Sequence, residues 1–236
     1  MPYPDAALFV EGAREVGLCP VVVHAKYLIN LASQLSEHRE RSARVLASEL
    51  AAAGAIGADV VVVHSGSYGG DGQEAGMKRL VEGLKRARAL AGPNAAEPVV
   101  ENSVGAGTQL CSTFEGLARV AEGAQVRVCV DTAHAFVAGY DLSTPKGAAT
   151  IGGELRGVLG DRIALLHLND ARNGLGSHRD GHARIGEGQV SEGAWRAFFA
   201  VLNGVPAVME TPVVDAEQIR LLKRLAGGLP LRAGGV

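Results

Sequence analysis

The chain has 236 residues, of which 47% are hydrophobic and only 4% aromatic, and its net charge is −2. That length suits one large α/β domain with a core of Ala, Val and Leu, and the near-neutral charge argues against a broadly basic nucleic-acid surface while allowing a local patch aided by bound cations. The 32 glycines have no period of three, which excludes collagen, and Cys19, Cys111 and Cys129 are an odd set without C-x-x-C spacing, so neither a disulfide framework nor a cysteine zinc site is indicated.

Asp5–Val16 reads as a helix, and strand and helix then alternate to the end. Valine-rich strands are expected at Val21–His24, Val60–His64, Val99–Asn102, Val126–Asp131, Ile163–Asp170 and Ala207–Thr211. Between and after them lie helical stretches at Leu35–Ala53, Gln73–Ala91, Thr113–Gly123, Lys146–Leu159, Glu192–Asn203 and Ala216–Leu225. The strand runs are continuously apolar rather than alternating, as in a parallel sheet covered on both faces. No linker composition interrupts them, so one domain over residues 1–236 is expected. Met1–Val10 lacks a basic-then-apolar leader pattern and no apolar run approaches the length of a membrane span, so a cytoplasmic protein is expected.

Each of the six strands ends at or near a polar residue: His24, His64, Glu101, Asp131, His167 and Glu210. An open doubly wound sheet uses a few strand ends near a switch point, whereas a barrel gathers all of them at one mouth. A TIM-type (β/α) barrel with six of its eight strands is therefore the expected fold. Imidazole and carboxylate donors in this number suit zinc, manganese or iron and exceed what one tetrahedral ion needs. Two further pairs add donors: a turn after the strand carries Asp131 and His134, and an extended i, i+2 spacing carries Asp180 and His182. Taken singly, a strand-end His is commonly a hydrogen-bonded structural residue, a strand-end Glu a helix cap, and a charged loop a solvated one. Recurrence after successive strands is what favours the metal reading. His38 and His178 lack that placement and are expected at the surface.

At these same residues the chain resembles the endonuclease IV family. His24-Ala25-Lys26-Tyr27-Leu28-Ile29-Asn30 is similar to a family segment in which a metal-binding His precedes Tyr-Leu-Ile-Asn. Glu101-Asn102-Ser103-Val104-Gly105-Ala106-Gly107 and Asp131-Thr132-Ala133-His134-Ala135-Phe136 with Ala138-Gly139-Tyr140-Asp141 resemble two more. His167-Leu168-Asn169-Asp170, then Asp180-Gly181-His182, Ile185-Gly186-x-Gly188 and finally Glu210-Thr211-Pro212 complete the family order.

The resemblance implies three zinc ions, with manganese or iron as substitutes. His24, His64 and Glu101 would hold the first. Glu101 would reach a second, also held by Asp131, His167 and Glu210, and His134, Asp180 and His182 would hold the third. It further implies a DNA-repair phosphodiesterase that cuts on the 5′ side of abasic sites in double-stranded DNA and leaves a 3′-hydroxyl. Glu101 and Glu210 would be catalytic, with Glu210 orienting the attacking water or taking its proton. Tyr27 would contact the damaged duplex, Asn30 and the loop 66–72 would border the mouth, and Lys26, Arg172, Arg179 and Arg184 would supply local positive charge. The implied setting is nucleoid-associated, with no membrane and no obligate protein partner.

The chain departs from the family at Ser65, which stands where Pro is usual, and at Gly181, which replaces a basic residue between Asp180 and His182. The family also has a strand, a helix and a strand ahead of the point where this chain starts. Met1 is therefore expected to be an internal start in a longer reading frame; a truncated protein, inactive or completed by dimerisation, is the rival. The alternative functions are a xylose isomerase-like sugar isomerase or epimerase and an inactive metal-binding relative.

Overall fold

The computed structural model describes residues 5–227, and the chain divides into two compact units. Among the described residues, the first runs through Glu101 and includes Arg119–Arg127, and the second comprises Asn102–Ala118 and the residues from Val128 on.

The first unit contains α1 (Ala6–Glu15), β1 (Val22–His24), α2 (Ser36–Ala55), β2 (Val60–His64), α3 (Gln73–Ala91) and β3 (Glu97–Glu101). Its strands pair in parallel, β1 with β2 and β2 with β3. Val60, Val61, Val62 and Val63 are all buried, as a continuous β-branched run in a two-sided sheet should be. The register sets His64 directly beside Glu101 and His24 beside Val62. Helix α2 buries Ala43, Leu46, Ala47, Leu50 and Ala53, a stripe at three- and four-residue spacing. It packs on α3, which buries Met77, Leu80, Leu84 and Ala87.

Helix α4 (Phe114–Ala124) runs across the division. The second unit contains β4 (Arg127–Asp131), α5 (Thr132–Ala138), α6 (Pro145–Leu159), a 3-10 turn at Gly160–Arg162, β5 (Ile163–Leu168), β6 (Asp170–Ala171), β7 (His182–Ala183), α7 (Glu192–Val201), β8 (Ala207–Met209) and α8 (Ala216–Leu225). Here β4 pairs in parallel with β5, and β5 with β8. Asp131 lies beside His167, and Leu168 beside Met209, so Glu210 is the first residue beyond β8. All six residues of β5 are buried.

Several element ends shift by one or two residues, and two differences from expectation bear on the site. The strand expected over Ile163–Asp170 stops at Leu168, and Asp170–Ala171 instead pairs antiparallel with His182–Ala183. The break falls at Asn169, whose backbone N–H and C=O both bond the Thr132 hydroxyl, at 3.0 and 2.7 Å. The turn expected after Asp131 is the helix α5. Asp131 is its N-cap, accepting from the His134 N–H at 2.8 Å.

The α2–α3 layer backs the strands that carry His24, His64 and Glu101, so its packing should be felt at the site. Leu84 is fully buried in it. Leu84→Ala should cost about 2–5 kcal/mol of stability, read as a lowered urea midpoint at unchanged slope. A loss within about 0.5 kcal/mol would mean that this layer is not a packed core.

Candidate metal centre

In the first unit, two imidazoles converge on one carboxylate oxygen. His24 Nε2 lies 3.3 Å and His64 Nε2 3.2 Å from Glu101 Oε2. Glu101 is 1% exposed, whereas the two His side chains reach about a third exposure. The other nitrogen of His24, Nδ1, donates to the Ala25 carbonyl at 2.9 Å, which leaves the lone pair on Nε2.

The second unit holds two groupings. Ligand atoms of Asp131, His167 and Glu210 lie within 4.8 Å of one another, with His167 Nδ1 2.9 Å from Glu210 Oε2. Asp131, His134 and His182 form another such group. His182 Nε2 stands 3.7 Å from Asp131 Oδ2 and 3.5 Å from Asp180 Oδ1, and His134 Nε2 is also 3.5 Å from Asp180 Oδ1. His134 Nδ1 donates to the Asn102 carbonyl at 3.0 Å, again directing the lone pair of Nε2 toward carboxylate oxygens.

Lone pairs on nitrogen and oxygen facing each other require positive charge between them. A proton shared in an ion-paired hydrogen bond would draw the atoms to about 2.7–2.9 Å. A tetrahedral cation with ligands at about 2.0–2.2 Å holds its donors roughly 3.3–3.6 Å apart. The separations of 3.2–3.7 Å around Glu101, Asp180 and His182 match the second case. His182 Nε2 adds a further sign, since it is buried without a hydrogen-bond partner. The residues therefore fit divalent metal ions, with oxygen and imidazole donors suited to zinc, manganese or iron.

Asparagines hold the donors in place. Asn102 brackets Asp131 by accepting from its N–H at 2.7 Å and donating to its C=O at 3.1 Å. Asn169 Nδ2 donates to Asp131 Oδ2 at 2.5 Å. Both asparagines are buried and both stand within the motifs quoted above, but their roles show only in three dimensions. The segment carrying His182 is tied down by Asp170. Its carboxylate accepts from the N–H groups of Ala171, Gly186, Gly188 and Val190 at 2.8–3.2 Å. Burial nevertheless lifts the Asp170 carboxyl above the ordinary range, because desolvation outweighs those four donors.

Tyr27 is 76% exposed and its ring meets that of His64 edge-on, with centroids 5.5 Å apart. Its neighbour Leu28, given no role in the sequence reading, is 91% exposed. Of the four candidate phosphate-binding cations, Lys26 pairs with Glu49 and Arg184 with Asp215 and Glu187, whereas Arg172 and Arg179 are exposed. His38 and His178 are both exposed, and His178 Nδ1 also bonds the Val104 carbonyl at 2.7 Å.

Two predictions concern this centre. Asn169→Ala should weaken metal affinity by about 10–100-fold while leaving the fold intact, read by competition with a chelator; unchanged affinity would remove Asn169 from the site's support. The second concerns pH. The His134 imidazole facing Asp180 Oδ1 holds the Asp180 carboxyl below its ordinary value. A depressed carboxylate pKa stabilises the fold above the unfolded value, and that share is lost as pH falls through the folded one. In metal-free protein, NMR should find Asp180 titrating below the ordinary carboxylate value, and His134→Ala should raise it.

Comparison with known proteins accords with this geometry. Residues 2–225 match the family model described as xylose isomerase-like TIM barrel. The chain is 38% identical over 218 residues to a probable endonuclease 4 from Natronomonas pharaonis, covering 90% of this chain and 77% of that one. The crystal structure of endonuclease IV from Thermus thermophilus superposes with a TM-score of 0.83 at 32% identity, covering 95% of this chain and 82% of that one. A D-tagatose 3-epimerase-like protein shares the fold alone, with a TM-score of 0.73 at 21% identity over 94% of this chain and 83% of that one. The chain belongs to the xylose isomerase-like TIM barrel family and, within it, to the endonuclease IV group.

Proposed function

We propose that the chain is a zinc-dependent AP endonuclease that hydrolyses the phosphodiester on the 5′ side of abasic sites in double-stranded DNA and leaves a 3′-hydroxyl. The observation that carries the reading is the pair of imidazole nitrogens set at 3.3 and 3.2 Å from one buried oxygen of Glu101. It occurs in a chain 38% identical to a probable endonuclease 4. The proposed ligands are His24, His64, Glu101, Asp131, His134, His167, Asp180, His182 and Glu210, holding three zinc ions.

A phosphodiester resists attack because its own negative charge repels an anionic nucleophile, and clustered divalent ions neutralise that charge and stabilise the leaving oxygen. The protein's own groups do the positioning. Glu101 is buried beside the imidazoles of His24 and His64, where a bound cation would offset the cost of burying its carboxylate. Glu210, part exposed and 2.9 Å from His167, would orient a water or take its proton. Tyr27 presents an aromatic face to solvent beside His64, suited to stacking where a base is missing from the duplex. Arg172 and Arg179 supply exposed positive charge near Asp180 in the chain. Action on DNA also accords with a cytoplasmic, nucleoid-associated setting, and no helix among the described residues is long and apolar enough to cross a membrane.

Removing metal with a chelator should abolish incision of an abasic duplex, and zinc should restore it. Glu101→Gln keeps the shape but removes the charge. It should lower kcat at least about a thousandfold with the thermal transition little changed. Full activity of Glu101→Gln in metal-replete protein would defeat the reading, as would turnover of a ketose or aldose in place of DNA.

A further inference from the structure

On helix α3, the hydrogen bonds of Arg79 all leave the helix for the loops beside it. Arg79 is 13% exposed at its side chain. Its Nε donates to the Ala32 carbonyl at 2.8 Å, and one terminal nitrogen to the Tyr68 carbonyl at 3.1 Å. The two terminal nitrogens also grip Asp71 with both carboxylate oxygens, at 2.6 and 2.8 Å. The guanidinium therefore joins the loop after β1, which holds Ala32, to the loop after β2, which holds Tyr68 and Asp71.

Two amide side chains repeat the connection. Asn30 exchanges hydrogen bonds with the Ser67 backbone, donating to its C=O at 3.0 Å and accepting from its N–H at 3.2 Å. Gln34 Oε1 accepts from the Gly70 N–H at 3.2 Å. Gly66 has φ 75° and any side chain there would overlap Asn30 Oδ1, so glycine is what lets the loops approach this closely. The first loop holds Tyr27 and Leu28 out in solvent at 76% and 91% exposure. Large apolar side chains so placed lose nothing to packing in the free protein and gain by covering a partner's apolar surface. Their use depends on the loop beneath them staying in one shape.

We propose that Arg79 is a positioning residue for DNA binding, locking the loops after β1 and β2 into one rigid platform that carries Tyr27 and Leu28 beside His64. Only the DNA readout of this inference rests on the nuclease reading; the clamp itself does not. Arg79 touches neither the proposed ligands nor any reacting atom. A planar fork is needed to serve two carbonyls and a carboxylate at once, and the point charge of lysine cannot reproduce it.

The test combines amide hydrogen exchange with steady-state kinetics on the full chain. Arg79→Met should speed exchange at Ser67 and Gly70 by about tenfold, the equivalent of one lost charge-assisted hydrogen bond. It should raise KM for an abasic duplex by about the same factor, leaving kcat within about twofold and metal content unchanged. Arg79→Lys should fall between. Gln34→Ala, an exposed change that cannot unfold the helix layer, should speed Gly70 exchange alone. Unaltered exchange in both Arg79→Met and Gln34→Ala would overturn the clamp, and so would a fall in kcat and metal content at constant KM. If the unsubstituted protein does not incise abasic DNA, the nuclease reading fails alone, and the exchange rates still decide whether the clamp exists.

Discussion

Carboxylate oxygens and imidazole nitrogens that face one another with their lone pairs repel unless positive charge lies between them. Around Glu101, and again around Asp180 and His182, this chain sets such atoms 3.2–3.7 Å apart. Glu101 and Asp131 are also almost completely buried, and an unpaired buried carboxylate would cost several kcal/mol. Bound cations would balance carboxylates and imidazoles brought this close together. Much of the surrounding structure follows from that requirement.

Strand register meets it first. Parallel pairing places His64 beside Glu101 in one unit and Asp131 beside His167 in the other, so neighbouring strand ends deliver donors in pairs without any loop rearrangement. The strands owe this accuracy to burial: Val60–Val63 and Ile163–Leu168 have no exposed position that would let the register slip. Donors outside the strands need other means. His134 stands on a short helix whose N-cap is the proposed ligand Asp131 itself, so capping and the proposed ligation share one carboxylate. His182 follows a loop and is steadied by the ladder with Ala171 and by the backbone N–H groups gathered on Asp170. Gly188 is needed there, since a side chain would overlap the Asp170 carboxylate.

The sequence made some of this legible and concealed the rest for physical reasons. Val60–His64, Gln73–Ala91 and Ala216–Leu225 occupy the expected bounds, because a β-branched run and long amphipathic stretches state their period plainly. Helix α5 has seven residues, too few for a period to show, and its N-cap could equally be read as a turn. The ladder of Asp170–Ala171 with His182–Ala183 is two residues long and joins segments separated by a loop, so alternation has no room to appear. The metal-ligand candidates were visible because they recur in phase with the strands. Asn102 and Asn169 were not, because an asparagine after a strand is also an ordinary turn residue, and only its partners distinguish the two.

Arg79 extends the same lesson away from the proposed metal ligands. Nothing in Arg-Leu-Val-Glu on an amphipathic helix separates a clamp from a solvated charge, and surface arginines usually add little. The difference lies in what the guanidinium meets: two backbone carbonyls and both oxygens of Asp71, at 13% side-chain exposure. Shielded, forked hydrogen bonds resist exchange with water in a way that a surface ion pair does not. The proposed metal donors need rigidity to within a fraction of an ångström, and sheet register supplies it. An exposed loop has no sheet to brace it, so cross-loop hydrogen bonds donated by Asn30 and Arg79 and accepted by Gln34 do so.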